Sequence, residues 1–350
     1  MSDVPVVLKP EATRHPLRNV RAFRHALLRW FAQHGADYPW RRTTDPYAIL
    51  VSEIMLQQTT VGAVLKNRRF ERFLSTFPDL ATLATAPEDA LLREWEGLGY
   101  YNRVRNLQKT ARAVVENHNG AFPSDPATLQ TLPGIGRYTA GAVASFAFDR
   151  PAAIVDANIA RVLARLLDYR KPIDSAAGQK QLWSWSAELV PPNRARAFNS
   201  AFMELGQTRC AAGSPTCPTC PVNAFCASRD PETLPIRKPK RRTVAVTEHV
   251  LFVQKRDGSV LLAREDGSRR KGLWKLPERS HHQVAGFPLL ATRRYDITHH
   301  RVTLHIHRCP PSRVPAGASE TTEKFLAPAV LPTLPMPSPF RNALNALLEP

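Results

Sequence analysis

The spacing of hydrophobic residues changes about two thirds of the way along this chain. In the first part apolar residues recur every three or four positions, as they do at Val20, Phe23, Leu27, Trp30 and Phe31. Near the C-terminus they alternate instead, so that Val302, Leu304 and Ile306 face one way and Thr303, His305 and His307 the other. The pattern therefore predicts a mainly α-helical N-terminal domain followed by a smaller α+β domain.

A basic stretch that contains prolines separates the two patterns. It reads RDPETLPIRKPKRRTVAV, and its cations are Arg237, Lys238, Lys240, Arg241 and Arg242. Proline and charge alternation are typical of an extended linker. We predict a first domain over residues 18–232, a linker over 233–244 and a second domain over 245–350. The linker cations either contact a polyanion or belong to a solvated tether.

The stretch LPGIGRYTAGAVASFAFDRPAAIVDANIARVLA predicts two helices joined by a tight hairpin. Pro133, Gly134 and Gly136 interrupt the helical spacing just before Tyr138. Glycines at a helix start leave backbone amides uncovered, and these favour an anion such as a DNA phosphate. Asp156 then opens a further helix with an apolar face. Taken alone, Asp156 is equally well explained as a helix N-cap.

Two carboxylates occupy different settings in this pattern. Glu53 lies inside the apolar run AILVSEIML, on a helix predicted from about Tyr47 to Thr59, where burial would raise its proton affinity. The alternative is an exposed helical glutamate. Asp156 at a helix start is expected to stay ionised with a low pKa. The two carboxylates are therefore expected to differ in protonation state, with Glu53 protonated and Asp156 ionised.

Four of the five cysteines fall within one short segment. Cys210, Cys217, Cys220 and Cys226 have the spacing C-x6-C-x2-C-x5-C, which indicates metal ligands. A structural zinc site and a cubane iron-sulfur cluster are the two alternatives. Four-cysteine zinc sites usually show two close pairs, whereas only Cys217 and Cys220 are close here.

Composition indicates the kind of binding partner and the cellular compartment. The chain has 350 residues, enough for two cores, and 48 Lys and Arg against 30 Asp and Glu give a net charge of +18. Such an excess favours a nucleic acid as the partner. No apolar run is long enough to span a bilayer, and the cysteine spacing is not that of a secreted disulfide protein. We expect a soluble protein of a reducing compartment.

The chain resembles the helix-hairpin-helix base-excision DNA glycosylases in its cysteine spacing and in the motifs LPGIGRYTA, VDANIARVLAR and SEIMLQQT. Tyr138 makes it similar to the adenine glycosylases of the MutY type within that family. The resemblance implies a monofunctional repair enzyme that flips out and hydrolyses adenine mispaired with 8-oxoguanine or guanine. It further implies a 4Fe-4S cluster and a monomer that acts on double-stranded DNA. The expected location is the bacterial cytoplasm, at the nucleoid and away from any membrane.

The resemblance also assigns roles to individual residues. Glu53 would be the acid and Asp156 the stabilising carboxylate, with Tyr138 and Asn158 as supporting groups. The adenine pocket would be lined by Trp40, Arg41, Leu56 and Val61. Gln57 and Tyr100 would wedge into the duplex beside the extruded base, although either could be ordinary surface.

In the second domain, KGLWKLPE resembles the Nudix-like domain that examines the base opposite adenine. A Nudix hydrolase signature is absent, so we expect no nucleotide hydrolysis. ITHH takes the place of a Phe-Ser-His loop that reads 8-oxoguanine: Thr298 and His299 match, and Ile297 departs from the pattern. His305 and His307 read either as metal ligands or as a solvated strand face.

Two other classes of function fit parts of the sequence. An endonuclease III-type glycosylase with lyase activity would have a lysine in place of Tyr138. A non-enzymatic DNA-binding protein would use the hairpin for phosphate contacts alone, but Glu53 and Asp156 argue against it.

Overall fold

The structure is a computed structural model that describes residues 17–239, 242–267, 270–317 and 323–349. The linker residues Lys240 and Arg241 lie outside this range. Within it, no helix has the length and apolar character needed to cross a membrane.

The helices of the described residues follow the first hydrophobic pattern. They are Val20–His34 (α1), Pro46–Leu56 (α2), Val61–Leu65 (α3), Arg69–Thr76 (α4), Leu80–Thr85 (α5), Glu88–Glu94 (α6), Asn102–Asn117 (α7), Pro126–Leu129 (α8), Arg137–Phe148 (α9), Ala157–Leu166 (α10), Ala176–Leu189 (α11), Ala195–Thr208 (α12), His281–Val284 (α13) and Ser338–Leu348 (α14).

All strands of the described residues lie in the C-terminal third. They are Val244–Phe252 (β1), Val260–Arg264 (β2), Trp274–Lys275 (β3), Glu278–Arg279 (β4), Leu289–Ile297 (β5), His300–Arg308 (β6) and Glu323–Leu326 (β7). One sheet has the order β4-β1-β6-β5, in which only β1 and β6 are parallel, and the other has the order β3-β2-β7. The prediction of a helical first part and a β-containing second part is therefore confirmed.

The chain forms two compact units that do not follow chain order. Of the described residues, the first unit contains those within 1–46, 123–130 and 135–238, and the second contains those within 47–122, 131–134 and 239–350. The domain boundaries at 232 and 245 stay a prediction.

The core of the first unit is built from the apolar faces of its long helices. Phe23 of α1 contacts Phe198 and Phe202 of α12 edge to face, with ring centroids 6.4 and 6.0 Å apart. These rings, like Leu27 of α1, are fully buried. The predicted helical face beginning at Val20 is confirmed, because its buried members are Phe23, Leu27 and Trp30.

Helix α2 of the second unit ends earlier than predicted. It stops at Leu56, whereas the sequence pattern extended it to about Thr59. The reason is local, because Gln58 adopts a left-handed conformation with φ of 53°, which a continuing helix does not allow.

The predicted alternation in β6 is confirmed, since Val302, Leu304 and Ile306 are buried while Thr303 and His305 are half-exposed. Val246–Val253, the turn Asp257-Gly258 and Val260–Ala263 have the sequence pattern of a β-hairpin. The structure confirms this hairpin only next to the turn, where the backbone amide of Leu261 donates to the carbonyl of Val253 at 3.0 Å. The turn forms, with a hydrogen bond from Lys255 to Ser259 of 2.9 Å, but β1 pairs along its length with β6 and β2 pairs with β7.

Candidate active site

Asp156 caps the N-terminus of α10 in the first unit. Its Oδ1 accepts a hydrogen bond from the backbone amide of Ile159 at 2.7 Å, and its Oδ2 accepts one from Nδ2 of Asn158 at 2.9 Å. The N-cap interpretation is thus confirmed geometrically. Capping is compatible with a catalytic role, because the two hydrogen bonds hold the carboxylate in one fixed orientation.

The expectation of a low pKa for Asp156 is wrong. Burial raises the pKa of this carboxyl above its usual value, and the hydrogen bonds from Ile159 and Asn158 and the charge of Arg161 oppose the shift only partly. The helix amides alone favour a low pKa, but desolvation acts in the opposite direction and here is larger.

A chain of polar contacts continues from Asp156 to the cysteine loop. Arg161 donates to Oδ1 of Asn158 at 2.9 Å, to the carbonyl of Cys210 at 2.9 Å and to the carbonyl of Gly206 at 2.6 Å. A Cβ added to Gly206 would lie 2.8 Å from Cβ of Asn158. Only glycine at this position of α12 therefore permits the close approach of α10.

The hairpin glycines are placed as the sequence predicts. Gly134 has φ of 79°, and a Cβ on it would lie 2.7 Å from Cβ of Asn106. Gly136 is the N-cap of α9, offers no side chain to the first amides and faces open space. The following Tyr138 is half-buried against the core of the first unit. This leaves the start of α9 suited to an anion.

Trp40 and Arg41 lie together in a short helical turn of the first unit. Trp40 is buried and stacks on Tyr38 with centroids 5.1 Å apart, and Arg41 contacts the same ring. Arg41 also forms an ion pair of 2.8 Å with the buried Glu204 of α12. These contacts fix the turn against α12, and the adenine-pocket role of both residues stays a prediction.

Glu53 lies in the middle of α2 in the second unit and is 5% exposed. Its neighbours in the helix are almost all buried, which confirms that it is not an exposed helical glutamate. Leu56 ends the same helix, and Val61 is the first residue of α3; both are half-buried. The pairing of Glu53 with Asp156 stays a prediction, since the two residues belong to different units.

Arg103 organises the two predicted wedge residues of the second unit. Its guanidinium donates to the carbonyl of Gln57, and it lies over the ring of Tyr100 at 5.6 Å. It also holds both adjoining turns, through bonds of 2.8 to 3.1 Å to Ile54, Met55, Leu98, Gly99 and the hydroxyl of Thr59. Desolvation lowers the pKa of Arg103 to about 10, so the group remains a cation at neutral pH.

Tyr100 itself adopts a left-handed conformation, with φ of 48°, and is 48% exposed. An exposed aromatic ring held in that conformation is unusual, because a large side chain rarely occupies this region. The turn at Gly99 and the contacts of Arg103 hold it there. The ring is thus presented to solvent on a rigid support.

A cavity of about 440 Å³ in the second unit brings Tyr100 together with the β5–β6 hairpin. Its walls include Tyr100, Arg103, Tyr295, Ile297 and Thr298. Thr298 is exposed at the hairpin tip with φ of 55°. The ring of the neighbouring His299 is tilted against that of His300, with centroids 4.0 Å apart. Two predicted residues, Tyr100 and Thr298, therefore line one cavity.

The four clustered cysteines are free thiols in the loop after α12. Burial raises the pKa of Cys220 to about 11 and also raises that of Cys226. The charges of Cys210 and Cys217 raise both pKa values further. Arg165, fully buried, donates to the sulfur of Cys210 at 3.4 Å. Among the described residues, no three potential ligands converge as one metal ion would require.

Three residues that organise these sites are not predicted from the sequence pattern. Arg103, Arg161 and Glu204 are buried or half-buried charged groups whose partners are distant in sequence. The signal was present for Glu204, which lies in the apolar run AFMELG much as Glu53 lies in AILVSEIML. Arg161 and Arg165, one turn apart in an apolar helix, gave a similar signal.

Known DNA repair proteins are similar to this chain in sequence. Residues 51–188 match the model of the HhH-GPD superfamily of base excision DNA repair proteins. An adenine DNA glycosylase of Mycobacterium tuberculosis is 38% identical over 68% of this chain and 78% of its own length. One from Buchnera aphidicola is 34% identical over 72% of this chain and 71% of its own length.

The chain belongs to the adenine DNA glycosylase family. Among these glycosylases the human enzyme is 44% identical over 60% of this chain, and the match covers only 40% of that longer protein. The chain thus spans about two fifths of the length of the mammalian relatives that it matches.

Solved structures of related glycosylases have the same helical fold. A thermostable thymine-DNA glycosylase is 31% identical with a TM-score of 0.55, and 60% of this chain covers 95% of it. An endonuclease III in a non-covalent complex with DNA is 26% identical with a TM-score of 0.52, and 61% of this chain covers 96% of it.

Proposed function

We propose that this protein removes adenine from double-stranded DNA in which adenine is mispaired with 8-oxoguanine or guanine, and that it leaves the strand intact. The observation that carries the proposal is Asp156, a desolvated carboxyl held by Ile159 and Asn158 at the helix that follows the hairpin. Structural relatives that bind DNA and the net charge of +18 support duplex DNA as the partner. The proposed setting is a monomer in the bacterial cytoplasm, at the nucleoid.

In this mechanism the two carboxyl groups have opposite protonation states. Glu53, buried in an apolar helix, donates its proton to a ring nitrogen of the extruded adenine, which makes the base a better leaving group. Asp156 as the anion stabilises the positive sugar or bonds to it, and water completes the hydrolysis. Burial raises the free energy of the ionised Asp156 before the reaction. The positive charge that develops on the sugar then stabilises the carboxylate.

The substrate class is tested by base release from a panel of duplexes. We expect free adenine from A:8-oxoguanine and A:G duplexes, and little from A:T under single-turnover conditions. Release of thymine from a G:T duplex, with no adenine release, would instead assign the chain to the activity named for its thymine-DNA glycosylase relative.

Whether the DNA strand is cleaved depends on the residue at position 138, which is Tyr138 in this chain. In a bifunctional glycosylase a lysine amine attacks the sugar to form an imine, and elimination of the 3′ phosphate follows. A phenol cannot form an imine, so we expect adenine release without cleavage and without efficient borohydride trapping. Tyr138→Lys should introduce trapping and cleavage, while Tyr138→Phe, which keeps the ring packed on the core, should introduce neither.

Efficient trapping of the wild-type protein at the rate of base release would contradict this proposal and favour the bifunctional alternative. If Tyr138→Lys releases adenine and never cleaves, residue 138 does not lie beside the sugar.

We further propose that Cys210, Cys217, Cys220 and Cys226 hold a 4Fe-4S cluster. The donor set fits, because four thiols without disulfides lie in one loop, and the charges of the other three add to the raised pKa of Cys220. A cubane binds each thiolate at a different iron and so does not require the sulfurs to converge on one point. When bound, the cluster would act structurally by linking the loop to Arg161 and Arg165.

We expect protein purified without oxygen to be brown and to contain roughly four iron atoms per chain, as a cubane requires. The high pKa of Cys220 means that binding must displace its proton, so acid should release the iron. Metal analysis that finds stoichiometric zinc and no iron would contradict the cluster.

We also propose that residues 245–350 form a Nudix-like domain that reads the base opposite adenine, with Thr298 and His299 as reading residues. The support is the cavity that Thr298 shares with Tyr100. Thr298→Ala should reduce the ratio of adenine release from A:8-oxoguanine over A:G by about 2- to 10-fold, the value of one hydrogen bond.

Thr303→Ala is the matched control for this variant, because Thr303 lies on β6 away from the cavity. An unchanged ratio in Thr298→Ala, or an equal change in both variants, would remove Thr298 from base recognition.

A further inference from the structure

Four histidines outside the candidate active site lie together on one face of the four-stranded sheet. The ring of His249 on β1 is 5.2 Å from that of His305 and 5.4 Å from that of His307, both on β6. His281, at the start of α13, is 5.1 Å from His249. The cluster follows from strand register, since parallel pairing places His249 opposite His305 and the period of two places His307 on the same face.

Two of these rings already have one nitrogen bonded to the protein. Nδ1 of His307 is 3.2 Å from the carbonyl oxygen of Phe287, which can only accept, so Nδ1 carries the proton and Nε2 carries the lone pair. Nδ1 of His305 is 3.0 Å from Oγ1 of Thr292, which leaves Nε2 available. Metal-binding histidines are typically oriented in this way, through a hydrogen bond at the nitrogen that does not bind the metal.

The separation of two nitrogens in the cluster also fits a metal ion. Nε2 of His307 is 3.2 Å from Nδ1 of His249. Two nitrogens that each lie about 2.0–2.1 Å from one tetrahedral zinc ion are roughly 3.3–3.4 Å apart. The two rings share a hydrogen bond without metal, and a zinc ion can replace the shared proton with little movement of either strand.

The cation opposite His249 on the adjoining strand β4 is already paired with a carboxylate. Arg279 on β4 is the register partner of His249, but both of its terminal nitrogens bind the carboxylate of Glu323, at 2.7 and 2.8 Å. The charge that a dication would meet at this face is therefore largely compensated.

We propose that His249, His305 and His307 bind one zinc ion, with His281 as the fourth ligand. Neutral imidazoles without a carboxylate suit zinc among the common divalent ions. In the described part of the chain no three ligands converge as yet, so His249 and His281 must turn their rings toward the ion. The ion would join β1, β6 and α13 and so stabilise this sheet face, independently of the glycosylase reaction.

The test uses the full chain with its cysteine loop loaded with iron. Zinc chloride is added, the protein is desalted, and zinc and iron per chain are measured together with the melting temperature. We expect one zinc ion per chain and a zinc-dependent rise in melting temperature. His249→Gln and His307→Gln should bind zinc at least roughly tenfold more weakly and lose the rise in melting temperature.

His282→Gln is the matched control, because His282 contacts only the ring of His281 among the described rings, at 6.1 Å. It should retain zinc as the wild type does, with the iron content of every variant unchanged. Absence of retained zinc in the wild type would overturn the proposal. Equal retention by His249→Gln and His307→Gln would also overturn it, because the ion would then bind elsewhere, such as in the cysteine loop.

Discussion

Glu53→Gln is expected to lower the single-turnover rate of adenine release by roughly 100- to 10,000-fold, the usual contribution of a general acid. The amide has the same shape and keeps the packing inside α2, where Glu53 is 5% exposed, but it has no proton of suitable acidity to donate. Duplex binding, measured by fluorescence anisotropy at fixed salt, should be nearly unchanged.

Glu96→Gln is the matched control for this prediction. Glu96 is a half-buried carboxylate of the same unit that pairs with Arg341 at 3.0 Å. Its loss should lower the melting temperature and leave the rate of adenine release per folded molecule unchanged. Wild-type turnover by Glu53→Gln would remove Glu53 from the chemistry, whatever its effect on stability.

Asp156→Asn is expected to lose adenine release to a similar extent, while its effects on stability at pH 7 to 8 have opposite signs and leave only a small net change. The amide oxygen can still accept from the amide of Ile159 and keep the cap, but the NH2 group replaces the oxygen that accepts from Nδ2 of Asn158, so that second hydrogen bond is lost. The neutral amide cannot supply the negative charge that stabilises the sugar cation. Because burial raises the pKa of Asp156 in the folded protein, ionisation of Asp156 opposes folding at pH values above its unfolded pKa.

The pH dependence of this effect can be measured as the difference in melting temperature between the variant and the wild type. Replacement by Asn removes the opposing term, so the melting temperature of the variant relative to wild type should be highest near neutral pH. The difference should shrink as the pH falls through the raised pKa and Asp156 takes up a proton. The wild-type rate should fall over the same range, above the ordinary pKa of an aspartic acid. An active Asp156→Asn with a lowered melting temperature would reduce Asp156 to a structural cap.

The sequence predicted elements well where one local cause decides them. Gly134 adopts a left-handed turn conformation and Gly136 starts α9, as their backbone preferences require. The alternation at Val302, Leu304 and Ile306 produced a strand with one buried face. Strand partners were predicted poorly. The turn at Gly258 is local, but the pairing of β1 with β6 joins residues more than fifty positions apart, and period alone does not specify it.

The candidate site shows the same division. A carboxylate in an apolar helical run identified Glu53, yet the same signal at Glu204 marks an ion pair with Arg41, and only the three-dimensional partner separates the two cases. The helix start of Asp156 was correctly predicted, but its pKa was not, because desolvation depends on what packs around it. Arg103 escaped prediction for the same reason, since it binds two turns that are far apart in sequence.

The central claim is tested most directly by identifying the base that the wild-type, iron-loaded protein releases from an A:8-oxoguanine duplex. Mass spectrometry of the soluble products and gel analysis of the strand, with and without alkali, are made on the same sample. We predict free adenine and a strand that breaks at that site only after alkali. No adenine, release of 8-oxoguanine, or a strand broken without alkali at the rate of base release would contradict it.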